Sequence, residues 1–308
     1  MRDLYSIVVP VYNSTHSLVS LAERIDFLFV QRLKEDYEII FIDDASPDPE
    51  TWRILEQLSE KYLKITAIRL MRNFGQQAAT LCGLKEAKGR FVITMDDDLQ
   101  HDPDDIRKLI MKSSHDIVIA QFKEKKHTVA KRVTSAIKGW FDSLILGKPG
   151  DLNLSSFRLL KKEVVEAMLT IATPYPFMPA LMFYVTKDVV GVEVGHHHRY
   201  EGASGYSFWK LIRLFSNLLI NNSSLLLRFV GIVGGIFSCW SLISIIYFIS
   251  KKIFFGISVP GWTSVIVLVL FFGGATLFSV GVIGEYLIRI IRGVEKKPSY
   301  FIRSIKKN

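Results

Sequence analysis

The sequence contains only two cysteines, Cys82 and Cys239, which is no basis for a disulfide framework, so both read as packing residues. It contains no P-loop and no GxGxxG, which disfavours a P-loop nucleoside triphosphatase and a dinucleotide-dependent dehydrogenase. Acids are the minority charge, 30 against 39 Lys and Arg, for a net charge of +9. Such an excess would suit nucleic acid, but no nucleic-acid motif accompanies it. The basic residues gather instead beside apolar segments, where anionic lipid head groups are the simpler partner.

Charge of either sign is missing from two long stretches. Residues 229–250 (FVGIVGGIFSCWSLISIIYFIS) carry none, and neither do residues 253–284, which Pro260 and Gly261 divide. Each leaves enough chain for the roughly 20 residues that cross about 30 Å of hydrocarbon, and helices of a soluble core seldom stay uncharged for so long. The sequence therefore predicts two transmembrane helices, about 229–250 and 262–284, within a segment 225–292. After them Arg289, Arg292, Lys296, Lys297, Arg303, Lys306 and Lys307 stand against Glu295. By the positive-inside rule a basic tail, 293–308, and with it the N-terminal part, is cytoplasmic. Lys251 and Lys252 in the opposite loop are outnumbered.

What the N-terminal part does contain is an alternation. YSIVVPVY, YEIIFIDD, KITAIRL, RFVITMD and HDIVIA are short apolar runs. The first lacks a basic leader and reads as a strand, not as a cleaved signal. Helical patterns at 15–31, 49–62, 76–88 and 104–114 separate the runs, two of them introduced by Pro and acids. Near-continuous apolar strands separated by helices predict an α/β domain with a mostly parallel sheet covered on both faces.

Ligands of open α/β sheets bind beyond the strands' carboxyl ends. There stand Val11, Tyr12 and Asn13, then Asp43 and Asp44, then the segment from Arg69 to Asn73, and then FVITMDDDLQHDPDD at 91–105. Three successive carboxylates repel one another unless a cation sits among them. Oxygen ligands facing a nucleotide-sized crevice suit Mg²⁺ or Mn²⁺. On an extended segment Asp96 and Asp98 share a side with Gln100, while Asp97 faces away. Asp98 is the expected metal ligand; a solvated acidic loop is the bland alternative.

PVYN at 10–13, DDASPD at 43–48, NFGQQAATLCGLKEAKG at 73–89, MDDDLQHDP at 95–103 and RYEGASGYS at 199–207 together resemble the polyprenyl-phosphate glycosyltransferases. These are inverting enzymes of the GT-A fold in glycosyltransferase family 2, including dolichyl-phosphate mannose synthase and the bactoprenol glucosyltransferases. The resemblance covers most of the first 210 residues. It implies a GT-A domain over 1–205 and a nucleotide-sugar site of Pro10, Tyr12, Asn13, Asp43, Asp44, Asp96, Asp97 and Gln100. It also implies a metal held by Asp96, Asp98 and Gln100, catalytic roles for Asp98 and Arg199, and an acceptor-phosphate site of Arg158, Arg199, Ser204, Lys131 and Arg132. Asp151, in GDLNLSSFRL, is the aspartate nominated as a further catalytic residue, to orient or accept from the acceptor, beside an equally open role as a loop residue. The implied reaction moves a sugar from a UDP-hexose such as UDP-glucose to undecaprenyl phosphate at the inner (plasma) membrane, for lipopolysaccharide or O-antigen modification. Relatives imply a homotetramer. The sequence departs from the pattern at Ser14, where an acid is common, at Ala45 in place of Gly, and at Gly205 in place of a base.

Two further stretches bear on the membrane. Val129, Val133, Ile137, Trp140, Phe141 and Leu144 recur at helical spacing with Lys131, Arg132 and Lys138 between them, the build of an interfacial helix over 129–147. Residues 206–224, with Trp209, Leu211, Leu214 and Phe215, read as a juxtamembrane amphipathic helix. His196 and His198 share a face of a strand but have no third ligand at a zinc spacing. Two rivals to the enzyme remain. A processive polysaccharide synthase would need more spans and a QxxRW-like motif, and a non-catalytic scaffold would have no need to tolerate the acidic cluster.

Overall fold

The computed structural model describes residues 3–122, 152–173, 176–195, 261–294 and 297–307, with scattered helical positions between 230 and 254. The chain divides into two compact units, residues 1–205 with 296–308, and residues 206–295.

The first unit is built on an eight-stranded sheet. Its elements in chain order are β1 (Leu4–Val11), α1 (His16–Phe27, continued by a π-helical turn over Leu28–Leu33), β2 (Asp36–Asp43), α2 (Pro49–Lys61), β3 (Ile65–Leu70), α3 (Gln76–Glu86) and β4 (Phe91–Thr94). A single 3₁₀ turn, Pro103–Asp105, leads into α4 (Ile106–Ile110), followed by β5 (Ile117–Phe122), β6 (Arg158–Lys161), α5 (Lys162–Thr170), α6 (Met178–Val185), β7 (Val189–Val194) and β8 (Ile302–Lys307). The spatial order is β7-β5-β6-β4-β1-β2-β3-β8. Strands β1 to β4 run parallel, whereas β6 and β8 run antiparallel to their neighbours.

Alternation within the strands explains the three layers. Ile7, Val9, Ile39 and Phe41 enter one core with Leu18, Leu21 and Ile25 of α1, Trp52 and Leu55 of α2, and Leu109 of α4. Val8, Ile40 and Ile42 point the other way, onto Ala79 and Cys82 of α3, Val165 of α5 and Met182 of α6. Burial on both faces is why these strands read as unbroken apolar runs. Helix α2 starts where Asp48 Oδ1 accepts from the Glu50 amide at 2.9 Å, with Pro49 in the first turn. Helix α3 lies so close to the sheet that a Cβ at Gly83 would come within 2.4 Å of Val8 Cγ1.

The strand β8 was expected only as basic tail. Its residues IRSIKK alternate, and they pair antiparallel with β3. The lysines and arginine on this exposed edge are the residues that natural sheets use to discourage further pairing.

In the second unit α7 (Trp262–Val294) is the one described helix long and apolar enough to cross a membrane, over Phe271–Ile288. The expected span at 229–250 is described only at scattered helical positions, among them Ile236, Trp240, Ile243 and Tyr247, all exposed. The stretch 129–147 and the helix at 206–224 lie outside the described residues.

Candidate active site

Strand ends β1, β2 and β4 open onto a cleft of about 290 Å³. Pro10, Val11 and Tyr12 line it from β1, Asp44 follows β2, Asn73, Gly75 and Gln76 lead into α3, and Asp96, Asp97 and Asp98 follow β4. The backbone here leaves the ordinary regions. Asn13, Ala45 and Leu99 have φ of 55°, 54° and 59°, left-handed conformations that cost a non-glycine residue roughly 1–2 kcal/mol and that collect at functional sites. Position 45 is thus one where glycine would be at ease, and alanine stands there under strain.

The two aspartates after β2 divide their work. Asp43 is fully buried and does not line the cleft: Oδ1 accepts from the Ser46 amide at 2.8 Å, and Oδ2 forms an ion pair at 3.2 Å with Arg69 Nε that lacks hydrogen-bond alignment. Ser46 Oγ in turn accepts from the Asn13 amide at 2.9 Å, so Asp43 shapes the cleft from below. Asp44 faces the cleft and accepts from the Phe74 and Gly75 amides, each at 2.8 Å. Burial pushes its carboxyl up, the two amides pull it back and Asp43 raises it further.

All three carboxylates after β4 line the same cleft, against the expectation that Asp97 would face away. The reason is that β4 ends at Thr94, and the following residues turn through Leu99 instead of running extended. Asp96 Oδ1 accepts from Gln76 Nε2 at 2.6 Å and Oδ2 from Ser156 Oγ at 2.7 Å. Asp98 Oδ1 accepts from the Gln100 amide at 3.0 Å. The Asp97 carboxyl is held by the Ser14 hydroxyl and the Tyr12 amide, but its Oδ2 is buried with no hydrogen-bond partner. Burial pushes Asp97 up to about 6, Asp96 and Asp98 add to the rise, and the Ser14 and Tyr12 contacts oppose it. Ser14, the departure from the usual acid, thus adds no further negative charge beside Asp97.

Four carboxylates line this cleft, and no Lys or Arg is among its described lining residues. Among the described residues no group of three His, Cys, Asp or Glu side chains is placed to hold a metal ion by itself. A divalent ion that takes one or two carboxylates completes its shell with phosphate oxygens and water, and the unpartnered Asp97 Oδ2 is an oxygen that gains from a nearby cation.

Arg158, expected at the acceptor, is instead interior, 5% exposed. Its Nε donates to Thr94 Oγ1 at 3.2 Å and its Nη1 to Met182 Sδ at 2.9 Å. Burial lowers it to about 10 while Asp96 pulls it back up. Its charge supports Asp96 from inside the domain, and a phosphate at the surface does not meet it. His101, passed over in the sequence, is also buried: its ring stacks between Phe122 and Phe157 at 5.4 and 5.1 Å, and Nδ1 accepts from the Asp96 amide at 3.0 Å. The proton therefore sits on Nε2, and the imidazole fixes the acidic loop's backbone. Gln76 and Ser156 were missed too, because only the fold brings them onto Asp96, 20 and 60 residues away in the chain.

A family profile, glycosyl transferase family 2, matches residues 6–167. The chain belongs to glycosyl transferase family 2. It is 30% identical over 305 residues to the undecaprenyl-phosphate 4-deoxy-4-formamido-L-arabinose transferase of Photorhabdus laumondii, covering 97% of this chain and 93% of that protein. It is 33% identical over 310 residues to an uncharacterized glycosyltransferase of a Synechocystis species, covering 97% and 95%. Among solved structures it is similar to the glucosyl-3-phosphoglycerate synthase of Mycobacterium tuberculosis in complex with Mg²⁺ and uridine diphosphate. There the TM-score is 0.51 at 16% identity, over 72% of this chain and 80% of that one, which shows the shared GT-A fold. The family 2 match spans every described candidate residue, from Pro10 to Arg158. Of the remaining candidates Lys131, Arg132, Asp151, Arg199 and Ser204, like His196 and His198, lie outside the described residues.

Proposed function

We propose that this family 2 enzyme transfers a sugar, with inversion, from a UDP-sugar to a polyprenyl phosphate, giving a lipid-linked monosaccharide for cell-surface glycan modification. The observation that carries the reading is the cleft at the strand ends, where Asp44, Asp96, Asp97 and Asp98 meet with no cationic side chain among the described lining residues. The near full-length relatives named as undecaprenyl-phosphate sugar transferases support the acceptor. The sugar is a hexose such as glucose on the sequence resemblance; the relatives' names favour a second reading, a 4-deoxy-4-formamido-L-arabinose.

In this reading Pro10, Tyr12, Asn13 and Asp44 form the base and ribose side of the cleft, with Asp43 supporting them. Asp98 and Asp96, with Gln100, would hold Mg²⁺ or Mn²⁺, which supplies stabilisation of negative charge on the departing diphosphate. Arg158 and His101 keep Asp96 in place, and Gln76 and Ser156 orient its two oxygens. The acceptor phosphate is already anionic near neutral pH, so the chain has to bring it in line with the anomeric carbon without removing a proton. Asp151, Arg199, Ser204, Lys131 and Arg132 are assigned to that side from the sequence.

Connectivity supports a multi-pass membrane arrangement. The chain leaves the sheet-bearing unit at residue 205 and rejoins it at 296, where β8 pairs with β3. A chain that returns to one sheet crosses a bilayer an even number of times. If α7 crosses, a second crossing precedes it, and residues 229–250 supply the length. The protein is then a multi-pass membrane enzyme with its sheet and basic residues on the cytoplasmic side.

The test is transfer of label from a panel of radioactive UDP-sugars into organic solvent by membranes containing this protein, with undecaprenyl phosphate and Mg²⁺ or Mn²⁺. One donor should yield extractable label, lost with EDTA and absent for Asp98→Asn. Folded protein that transfers from none of them overturns the UDP-sugar reading.

A further inference from the structure

The segment that joins β3 to α3 supplies Asn73, Gly75 and Gln76 to the cleft, and what holds it on its outer side is β8. The Met71 amide donates to the Phe301 carbonyl at 2.8 Å. Arg303 Nη2 donates to the Met71 carbonyl at 3.3 Å. The Phe301 ring meets Phe74, with centroids 6.1 Å apart. Between Arg69 and Leu70 the pairing skips a residue, so that Ser304 faces Arg69 and Ile302 faces Leu70. Arg303 is the residue left over. Bulges of this kind re-aim a side chain beside functional sites, and here the side chain is turned onto the first carbonyl after β3.

On its inner side the same segment makes the cleft's hydrogen bonds: the Phe74 and Gly75 amides to Asp44, and Gln76 Nε2 to Asp96. Gly75, at φ 91°, has no atom within 4 Å of where a Cβ would stand, so packing at that residue does not fix the turn. We propose that Phe301 and Arg303 are positioning residues for the donor cleft: they hold residues 71–74 so that the two amides reach Asp44 and Gln76 reaches Asp96. Neither touches the cleft itself. The proposal rests on the nucleotide-sugar reading of the cleft and adds that β8, which follows the apolar helix in the chain, sets donor affinity.

The experiment uses the full-length protein in membranes or detergent, with Phe301→Ala, Arg303→Ala and the conservative Phe301→Tyr. Amide hydrogen exchange over 73–76, read without any ligand, should quicken on the order of 10-fold in Phe301→Ala and less in Arg303→Ala, as loss of about 1.4 kcal/mol would give. The KM for the UDP-sugar should rise by a similar factor, with kcat and the KM for undecaprenyl phosphate within about twofold. Phe301→Tyr should restore both. Arg303→Ala carries the test if Phe301→Ala does not fold. Unchanged exchange over 73–76 in both alanine variants overturns the proposal, and so does faster exchange with an unchanged donor KM. A wild-type protein that transfers from no UDP-sugar refutes the functional reading instead, and the exchange measurement still decides whether β8 holds the segment.

Discussion

The bodies of the central strands and the residues just beyond them differ in almost every respect. Ile7, Val8, Val9, Ile39, Phe41 and Ile93 are wholly buried and in regular backbone. A few residues on, Asn13, Ala45 and Leu99 are left-handed, and four carboxylates share one cleft. These strand-body side chains are all hydrocarbon, and the strand ends hold groups that repel and strain one another. The difference teaches that this domain keeps its stability and its chemistry in adjacent but separable stretches of the same strands, so that substitutions should sort cleanly between them.

The sharpest test of that division is Asp98→Asn, expected to lower sugar transfer on the order of 10³-fold, the scale of several kcal/mol of lost charge stabilisation. Its thermal midpoint should stay within a few degrees of wild type, and a large fall in midpoint would blur the division. In the opposite sense Phe41→Ala, in the middle of β2, should cost about 3–5 kcal/mol of stability, measured by thermal unfolding in detergent, while donor KM in the folded fraction is unchanged.

Asp97 offers a test by pH. Its carboxyl binds its proton more tightly in the folded protein, at about 6 against the usual 3.8. Between those values the folded state holds more protons than the unfolded one, so stability falls as pH rises through this window, and the full penalty persists above it. With EDTA present, Asp97→Asn should therefore raise the thermal midpoint at about pH 7.5 and leave it unchanged near pH 3.5. An equal gain at both would mean that charge is not the cause. The smallest effect is expected from Ala45→Gly, which removes left-handed strain for a gain of about 0.5–1 kcal/mol, read as a slightly higher midpoint with transfer unchanged.

Much of this was legible in the sequence because period and chemistry point the same way in β1 to β4. Unbroken apolar runs announced a sheet covered on both faces, and the polar residues after each run announced the cleft. Asp44, Asp96 and Asp98 were found because charge is conspicuous. What stayed hidden depended on partners distant in sequence. Arg158 looked like a surface cation until Thr94 and Met182 closed over it, and nothing near His101 in sequence foretells its stacking between Phe122 and Phe157. Asp97 was misdirected because the period of an extended strand was carried past Thr94, where the strand stops. β6, only four residues long, and β8, masked by its lysines, fell below what a periodic pattern can signal.

The pairing of β8 with β3 also sets an order of manufacture. Arg303 meets Met71 across a separation of 232 residues, and at roughly 5–20 residues per second of synthesis the outer edge of β3 waits unpaired for tens of seconds. Through that interval the nascent sheet presents an open rim to any other extended chain. It closes only after the apolar segment has left the ribosome, so a molecule whose sheet is complete is one whose long apolar helix has already been made.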